Sequence, residues 1–283
     1  MHLATLISLL VGILPSLTKA VLDGVTYDEM RYLAHHASDA YSMENCTNPE
    51  GTVKLQVWTT GAKGYLTLDG QRKWIIMSFR GTYDAEDFQT DGNQTLVPYT
   101  VKGSEGCKNC TVHAGIQKAW AKNVDSVLTA IKNAKTAHPT YKIIVTGHSL
   151  GAFCGTTIAH EFTNVTAYGF AAFRAGNRAF ANYQESLFLG TTFHRVTSLD
   201  DNVPQATTIE QGYYHGGTEY WIQKEPDPKP EDIKVCNGSE DQTCNAGHWT
   251  KPTDSQGVNA AHITYFIQVG TYNCTADPAK VPT

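Results

Sequence analysis

The chain has 283 residues and a formal net charge of −5, and 41% of its residues are hydrophobic. These values are those of an ordinary globular protein with a chain long enough for one sizeable core. The slightly negative net charge gives no indication of a nucleic-acid partner.

The first predicted element is a secretion signal. The stretch Leu3 to Leu17 is nearly all apolar, and Thr18-Lys19-Ala20 offers small residues for cleavage. A membrane anchor is the alternative, but the apolar run is short for a bilayer span and polar sequence follows it. We therefore expect residues 1–20 to be removed and 21–283 to form one extracellular domain without stable membrane insertion. Six N-x-Ser/Thr sequons agree with secretion, at Asn45, Asn93, Asn109, Asn164, Asn237 and Asn273.

The first half of the mature chain predicts a helix, three strands and a second helix. An amphipathic pattern over 26–40 indicates the first helix. Strands separated by Gly-containing turns are expected at Val53–Thr60, Tyr65–Leu68 and Trp74–Phe79. A polar, acidic loop is expected over 84–98. Apolar residues at helical spacing then predict one long helix, Ala114–Lys135.

Strands and helices alternate through the second half. The β-branched run Tyr141–Thr146 is apolar on both faces, which is typical of a strand at the centre of a covered sheet. The elements expected after it are helix Leu150–Phe162, strand Val165–Phe170, helix Asn177–Leu187 and strand Thr192–Thr197. This alternation predicts a single α/β domain with a mostly parallel central sheet flanked by helices.

A nucleophile motif lies between a predicted strand and a predicted helix. Gly147-His148-Ser149-Leu150-Gly151 fits G-x-S-x-G, which composition alone produces in a fair share of chains. Its position at the end of a strand and the start of a helix gives the sharp turn that exposes a serine hydroxyl. The helix N-terminus also favours negative charge where an oxyanion develops. Ser149 is therefore the candidate nucleophile.

A serine nucleophile needs a base and an acid that orients the base. The histidines after the motif are His160, His194, His215, His248 and His262. His160 lies on the helix that follows the serine and should point away, and His194 lies inside a strand. His262 lies in a turn-like stretch late in the chain, where it can fold back over the sheet. For the acid, Asp200 and Asp201 both follow the strand ending at Thr197, and either fits.

Several further segments resemble the fungal class 3 lipases, and within them the type A feruloyl esterases. The matching stretches are Ser78–Thr82, Val112–Gly115, Val145–Gly151, Arg174–Asn177, His194–Thr197, Asp201–Pro204, His215–Trp221 and Asn259–Phe266. The resemblance implies an α/β-hydrolase fold and ester hydrolysis through an acyl-enzyme, without a cofactor or metal, and we expect a monomer. It implies Asp201 as the acid and His262 as the base. It also implies an oxyanion hole formed by Leu150 and Thr82.

Position and the resemblance together imply three disulfides and one free thiol. The expected pairs are Cys46–Cys274, Cys107–Cys110 and Cys236–Cys244, with Cys154 buried and reduced. A redox role for Cys107-x-x-Cys110 is the alternative, but such a motif normally opens a helix, and here Thr-Val-His follows.

The segment 83–95 corresponds to the lid of this family and bears on the substrate. It carries four carboxylates, and Phe88 is its large apolar residue besides Tyr83. Insertion into an oil interface would bury those charges, so we expect no interfacial activation. Asp91, Gln94 and Phe88 are the expected substrate contacts. Aryl esters of the feruloyl type are the first expectation and tri-, di- or monoacylglycerols the alternative, while a non-catalytic binding protein is a third possibility.

Overall fold

The computed structural model describes residues 22, 24–42, 51–82, 92–188, 192–250 and 257–270. Its centre is an eight-stranded sheet in the order β1-β2-β3-β6-β7-β8-β9-β10. These strands are β1 (Thr52–Trp58), β2 (Gly64–Asp69), β3 (Trp74–Phe79), β6 (Lys142–His148), β7 (Val165–Phe170), β8 (Phe193–Ser198), β9 (Thr218–Ile222) and β10 (Ile233–Val235). Strands β3, β6, β7, β8 and β9 run parallel to one another, whereas β1, β2 and β10 pair antiparallel with their neighbours. The prediction of a mostly parallel α/β-hydrolase sheet is confirmed.

Helices cover both faces of this sheet. The helices are α1 (Gly24–Asp39), α2 (Ala114–Ala121), α3 (Val124–Ala137), α4 (Gly155–Glu161), α5 (Arg178–Leu187) and the short α6 (Asn245–His248). Ile75 and Met77 of β3 share a core with α2 to α5, while Ile76 faces α1 on the other side. Each fully buried aliphatic side chain contributes about 2 kcal/mol. Burial on both faces explains why the central strands read as continuous apolar runs.

The long helix predicted over 114–135 is in fact two helices. Asn123 lies between α2 and α3 with non-helical φ and ψ of −138° and 6°. Its side-chain amide donates to the carbonyl oxygens of Thr60 at 3.1 Å and Ala62 at 2.8 Å. These bonds tie the chain to the turn between β1 and β2, and they involve residues about sixty positions away, which helical spacing cannot reveal.

The predicted loop 84–98 also ends in a strand. Leu96–Pro98 (β4) pairs antiparallel with Thr111–His113 (β5) in a separate two-stranded sheet. A second small sheet pairs Thr264–Tyr265 (β11) with Ile267–Gln268 (β12). Both small sheets lie in segments that flank the candidate site, and neither was expected from the sequence.

The cysteines of the described segments are paired or buried. Disulfides join Cys107 to Cys110 and Cys236 to Cys244, whereas Cys154 is a buried free thiol. Burial raises the pKa of the Cys154 thiol, which makes it a poor nucleophile. The expected Cys46–Cys274 bond and residues 1–20 lie outside the described residues. Across the described parts of the chain, no helix has both the length and the apolar character that a bilayer crossing requires.

Candidate active site

Ser149 stands at a sharp turn directly after strand β6. Its φ is +56°, a left-handed conformation that costs a non-glycine residue about 1–2 kcal/mol. The chain continues as a 3₁₀ turn, Ser149–Cys154, before α4 begins at Gly155. The predicted helix Leu150–Phe162 therefore starts as a tighter turn than expected. This local strain aims the Ser149 side chain away from the sheet and toward a cavity.

The two glycines of the motif are required by close backbone contacts. A Cβ on Gly147 would lie 2.7 Å from the Gly151 carbonyl oxygen. A Cβ on Gly151 would lie 2.7 Å from the carbonyl oxygen of Phe79 and 2.8 Å from that of Arg80. Real Cβ atoms do not come so close to backbone, so the turn after β6 can pack on the end of β3 only with glycine at both positions.

Gly151→Ala is expected to destabilise the protein by about 1–3 kcal/mol, because the new methyl group meets two rigid carbonyls. Gly155→Ala is the matched control, since its Cβ would meet no atom closer than 3.5 Å. Alanine also favours a helix, so this variant should be as stable as the parent or more so. Thermal unfolding of both variants measures the difference, and equal midpoints would contradict this account of the turn.

Asp201 follows the end of β8 and is fully buried. Its Oδ2 lies 3.2 Å from Nδ1 of His262 and accepts the Tyr265 hydroxyl at 2.5 Å. Its Oδ1 accepts the Val203 N–H at 2.9 Å. Burial and this carboxylate raise the pKa of Tyr265, so the phenol stays protonated and acts as a donor. By contrast, the carboxylate of Asp200 pairs with the Thr250 hydroxyl and does not face His262.

Two asparagines hold the turn of His262 against the turn of Asp201. Asn202 donates its amide N–H to the Gly257 carbonyl at 2.8 Å and accepts the Asn259 N–H at 3.0 Å. Asn259 donates in turn to the Asp200 carbonyl at 2.7 Å. These bonds bring together segments about sixty residues apart. The distance between acid and base is therefore fixed by backbone anchoring as well as by the direct contact.

A cavity of about 470 Å³ contains both Ser149 and His262. Its volume is within the usual range for small-molecule sites. The lining residues are Thr82, Gly92, Gln94, His113, Ser149, Phe173, Val203, Ala206, Thr207, Gly257, Val258, His262 and Ile263. The carboxyl ends of β3, β6 and β8 deliver the segments that contain Thr82, Ser149 and Asp201. Parallel strands thus bring three distant segments to one edge of the sheet.

The other histidines considered from the sequence have different surroundings. His160 lies 3.9 Å from Glu105 and 3.5 Å from Glu161. His194 stacks on Tyr168, His248 stacks on Trp221, and His215 Nε2 donates to the Pro204 carbonyl at 3.0 Å. His113 lines the cavity, but its Nδ1 accepts the Ile116 N–H and caps α2. His262 lines the cavity and has the Asp201 carboxylate beside its Nδ1.

The turn between β3 and the lid segment lies against the nucleophile. A Cβ on Gly81 would come within 2.8 Å of the Ser149 Cβ and of the His148 carbonyl oxygen. Thr82, the next residue, lines the cavity. Leu150 is buried beside Ser149 in a smaller adjoining pocket. Of the two residues expected to form the oxyanion hole, Thr82 therefore follows the end of β3 and Leu150 follows Ser149 in the turn after β6.

The expected substrate contacts are placed only in part. Gln94 lines the cavity, and its carbonyl accepts the buried Tyr213 hydroxyl at 2.5 Å. Its side-chain oxygen accepts from the Gln211 amide at 3.4 Å. Phe88 and Asp91 lie outside the described residues, as does most of the acidic lid segment. The behaviour of the lid stays a prediction.

Potential metal ligands cluster at two places in the described segments. One cluster is Cys236, Asp241 and Cys244, whose thiols are consumed by a disulfide. The other is Glu105, His160 and Glu161, a group that offers no thiol and in which the two glutamates are exposed and the histidine is half-buried. Neither cluster lines the cavity.

Sequence reasoning missed the supporting residues around the acid and the base. Tyr265, Asn202 and Asn259 lie within the stretches that resemble the class 3 lipases, but the resemblance implied no role for them. The only general signal was that a buried carboxylate needs several donors, which predicts that donors exist but does not say which residues supply them. The sequence also indicated no role for His148, which fills a variable position of the motif, or for Tyr41, whose hydroxyl contacts the His148 ring.

Known proteins share sequence with this chain. Residues 76–211 match the family model for lipase (class 3). A secreted mono- and diacylglycerol lipase of Penicillium cyclopium is 31% identical over 218 residues, 74% of this chain and 68% of that protein. The chain belongs to the class 3 lipase family. A secreted mono- and diacylglycerol lipase of Fusarium solani is 34% identical over 78% of this chain, and the match spans 65% of that relative's length.

Solved structures of fungal lipases share the fold of this class 3 lipase. A lipase from Rhizopus microsporus var. chinensis has a TM-score of 0.75 at 27% identity, covering 89% of this chain and 91% of that one. A mutant form of MDLA from Penicillium cyclopium has a TM-score of 0.74 at 25% identity, covering 88% and 99%. Family membership places the chain among the carboxylic-ester hydrolases. The similarity to type A feruloyl esterases is not supported by these relatives, which are named as lipases.

Proposed function

We propose that this chain is a secreted serine esterase that hydrolyses mono- and diacylglycerols. Ser149 is the nucleophile, His262 the general base, and Asp201 the acid that orients the base. The observation that carries the proposal is the contact between Asp201 and His262 at 3.2 Å, made at the cavity that Ser149 also lines. The domain comprises residues 21–283 after removal of 1–20, and it acts as a monomer.

The proposed reaction is acyl transfer in two halves. Ser149 Oγ bonds to the ester carbonyl carbon while His262 takes its proton, and the imidazolium gives that proton to the departing glycerol oxygen as the ester bond breaks. Water then attacks the acyl-enzyme, His262 takes the water proton, and the proton returns to Ser149 when the fatty acid leaves. Asp201 keeps the proton on Nδ1 of His262 and stabilises the imidazolium.

The oxyanion is stabilised by two backbone donors. The N–H groups of Leu150 and Thr82 point toward the carbonyl oxygen in this proposal, and each donor lowers the barrier by roughly 3 kcal/mol. Support comes from the packing of Gly81 against Ser149, which puts the Thr82 turn next to the nucleophile. Both donors belong to segments fixed at the ends of strands, so the donors need no rearrangement during the reaction.

The substrate class is inferred from the cavity and from the relatives. Apolar side chains line one part of the cavity, among them Phe173, Val203, Val258 and Ile263, which suits an acyl chain. Gln94 adds a side-chain amide that a free glycerol hydroxyl can pair with, and a triacylglycerol lacks such a hydroxyl. Relatives named as mono- and diacylglycerol lipases support the same choice. The substrate class that we propose is therefore partial glycerides rather than aryl esters.

A matched substrate panel tests the proposal. Mono-, di- and triacylglycerols with one acyl chain are presented in the same mixed micelles at equal ester concentration, beside methyl ferulate, with Ser149→Ala as the blank. Partial glycerides should be cleaved at least about tenfold faster than the triacylglycerol and methyl ferulate. If methyl ferulate is cleaved fastest, the protein is a feruloyl esterase and the proposed substrate class is wrong. Equal rates on all three glycerides would show that the free glycerol hydroxyl does not determine the preference.

A further inference from the structure

His148, the residue before the nucleophile, is a buried histidine outside the proposed catalytic set. It is the last residue of β6 and only 1% of its surface is exposed. Its Nε2 lies 2.8 Å from the backbone carbonyl oxygen of His262, and its Nδ1 lies 2.8 Å from the hydroxyl of Tyr41. Both ring nitrogens are therefore engaged, one of them directly on the residue proposed as the base.

The protonation of this ring follows from its partners. A carbonyl oxygen only accepts hydrogen bonds, so Nε2 of His148 must carry the proton. Burial, followed by the nearby His262, holds the pKa of His148 well below its usual range, so the ring is neutral. Nδ1 then has no proton and must accept, which makes the Tyr41 hydroxyl the donor. The His262 carbonyl thus selects the tautomer, and Tyr41 completes it by donating to the unprotonated Nδ1.

The turn that contains His262 is anchored on its N-terminal side by Asn202 and Asn259. His262 lies in a single 3₁₀ turn, Ala260–Ile263, where its own N–H donates to the Asn259 carbonyl at 3.1 Å. Asp201 holds the imidazole at Nδ1, and the His148 ring lies 4.7 Å from the His262 ring, measured between centroids. The residue is thereby held at two ends, the side chain by the carboxylate and the main chain by His148.

Tyr41 also contacts the turn that contains Gly81 and Thr82, which we call the oxyanion turn. Its hydroxyl occupies the space where a Cβ of Gly81 would stand, and the same Cβ would meet Ser149. Two further titratable side chains lie near the His148 ring. The ring centroid of Tyr265 is 5.7 Å from that of His148, and Asp201 accepts the Tyr265 hydroxyl. One tyrosine hydroxyl and one neutral histidine therefore touch the nucleophile turn, the oxyanion turn and the base turn.

We propose that His148 and Tyr41 are positioning residues that hold His262 in reach of Ser149. The inference rests on the proposed function, because it assigns His262 the role of base. The Nε2–H of His148 holds the His262 carbonyl, and the Tyr41 hydroxyl holds the His148 ring in place by donating to its Nδ1. Loss of this restraint lets the imidazole drift from Ser149, so the chemical step slows while substrate binding is retained.

The test uses a soluble fluorophosphonate, which reacts only with an activated serine and involves no glyceride. The variants are His148→Leu, which removes the donor, His148→Gln, which keeps an N–H near Nε2, and Tyr41→Phe. His36→Leu is the matched control, because His36 is equally buried but its Nδ1 pairs with Tyr65. The maximal labelling rate and the half-saturating concentration are measured for protein whose folded fraction is known from circular dichroism.

His148→Leu should lower the maximal labelling rate about 10²-fold, the cost of a misplacement of roughly 1 Å, with the half-saturating concentration unchanged. His148→Gln should recover most of the loss, Tyr41→Phe should show a smaller loss, and His36→Leu should match the parent. Equal rates for the parent and His148→Leu would overturn the proposal. If His148→Leu does not fold, an unchanged rate in Tyr41→Phe overturns it instead. An unlabelled parent would refute the proposed function and is therefore a distinct result.

Discussion

Ser149→Ala is expected to reduce ester hydrolysis by at least about 10⁴-fold while the protein remains folded. The substitution removes the hydroxyl that forms the acyl-enzyme. Alanine has the same difficulty as serine in adopting the φ of +56°, so the turn should survive. Activity on a soluble nitrophenyl ester and the thermal midpoint are measured together.

Ser78→Ala is the control for this variant, because Ser78 is also fully buried and lies in β3 rather than at the turn. It should retain the activity of the parent. Residual hydrolysis in Ser149→Ala within tenfold of the parent, with the fold intact, would show that another group performs the attack.

Asp201→Asn is expected to lower kcat by roughly 10⁴-fold at neutral pH, the loss seen when the acid of a serine protease is changed in this way. An amide has one accepting oxygen, whereas Asp201 uses one oxygen for His262 and Tyr265 and the other for the Val203 N–H, so either orientation turns an amide N–H toward a donor. The neutral amide no longer stabilises the imidazolium, and its N–H favours the wrong tautomer of His262.

Asp200→Asn is the matched comparison. The two residues are adjacent, but the Asp200 side chain pairs with the hydroxyl of Thr250, a contact that an amide oxygen can replace. We expect this variant to keep most of its activity. Steady-state kinetics on the same soluble ester decide the matter, and comparable losses from the two substitutions would eliminate Asp201 as the unique acid.

The sheet and its helices could be predicted because their signal is local. A strand covered on both faces must be apolar at successive positions, as in Ile143, Ile144 and Val145, and the predicted Val165–Phe170 coincides with β7. The break at Asn123 could not be predicted, because it depends on carbonyls of the β1–β2 turn. The last strands, β9 and β10, were missed because short strands carry too few residues for a clear period.

In the candidate site too, residues with a local signal could be predicted, whereas those that depend on distant segments could not. Ser149 could be found from its own neighbours, since a turn between strand and helix demands glycines on both sides. Asp200 and Asp201 could not be separated from local sequence, because the difference lies in which side chain faces a turn about sixty residues later. The acyl preference depends on a cavity built from several distant segments. This is why a motif that predicts ester chemistry does not predict the ester.

Peptide mapping of the fluorophosphonate-labelled protein tests the central claim most directly. The native protein is treated with the probe, digested, and analysed by mass spectrometry for the residue that carries the added phosphonate. The account predicts a single adduct on Ser149, absent after heat denaturation before treatment and absent from Ser149→Ala. An adduct on a different residue, or no adduct in a preparation that hydrolyses esters, would contradict it.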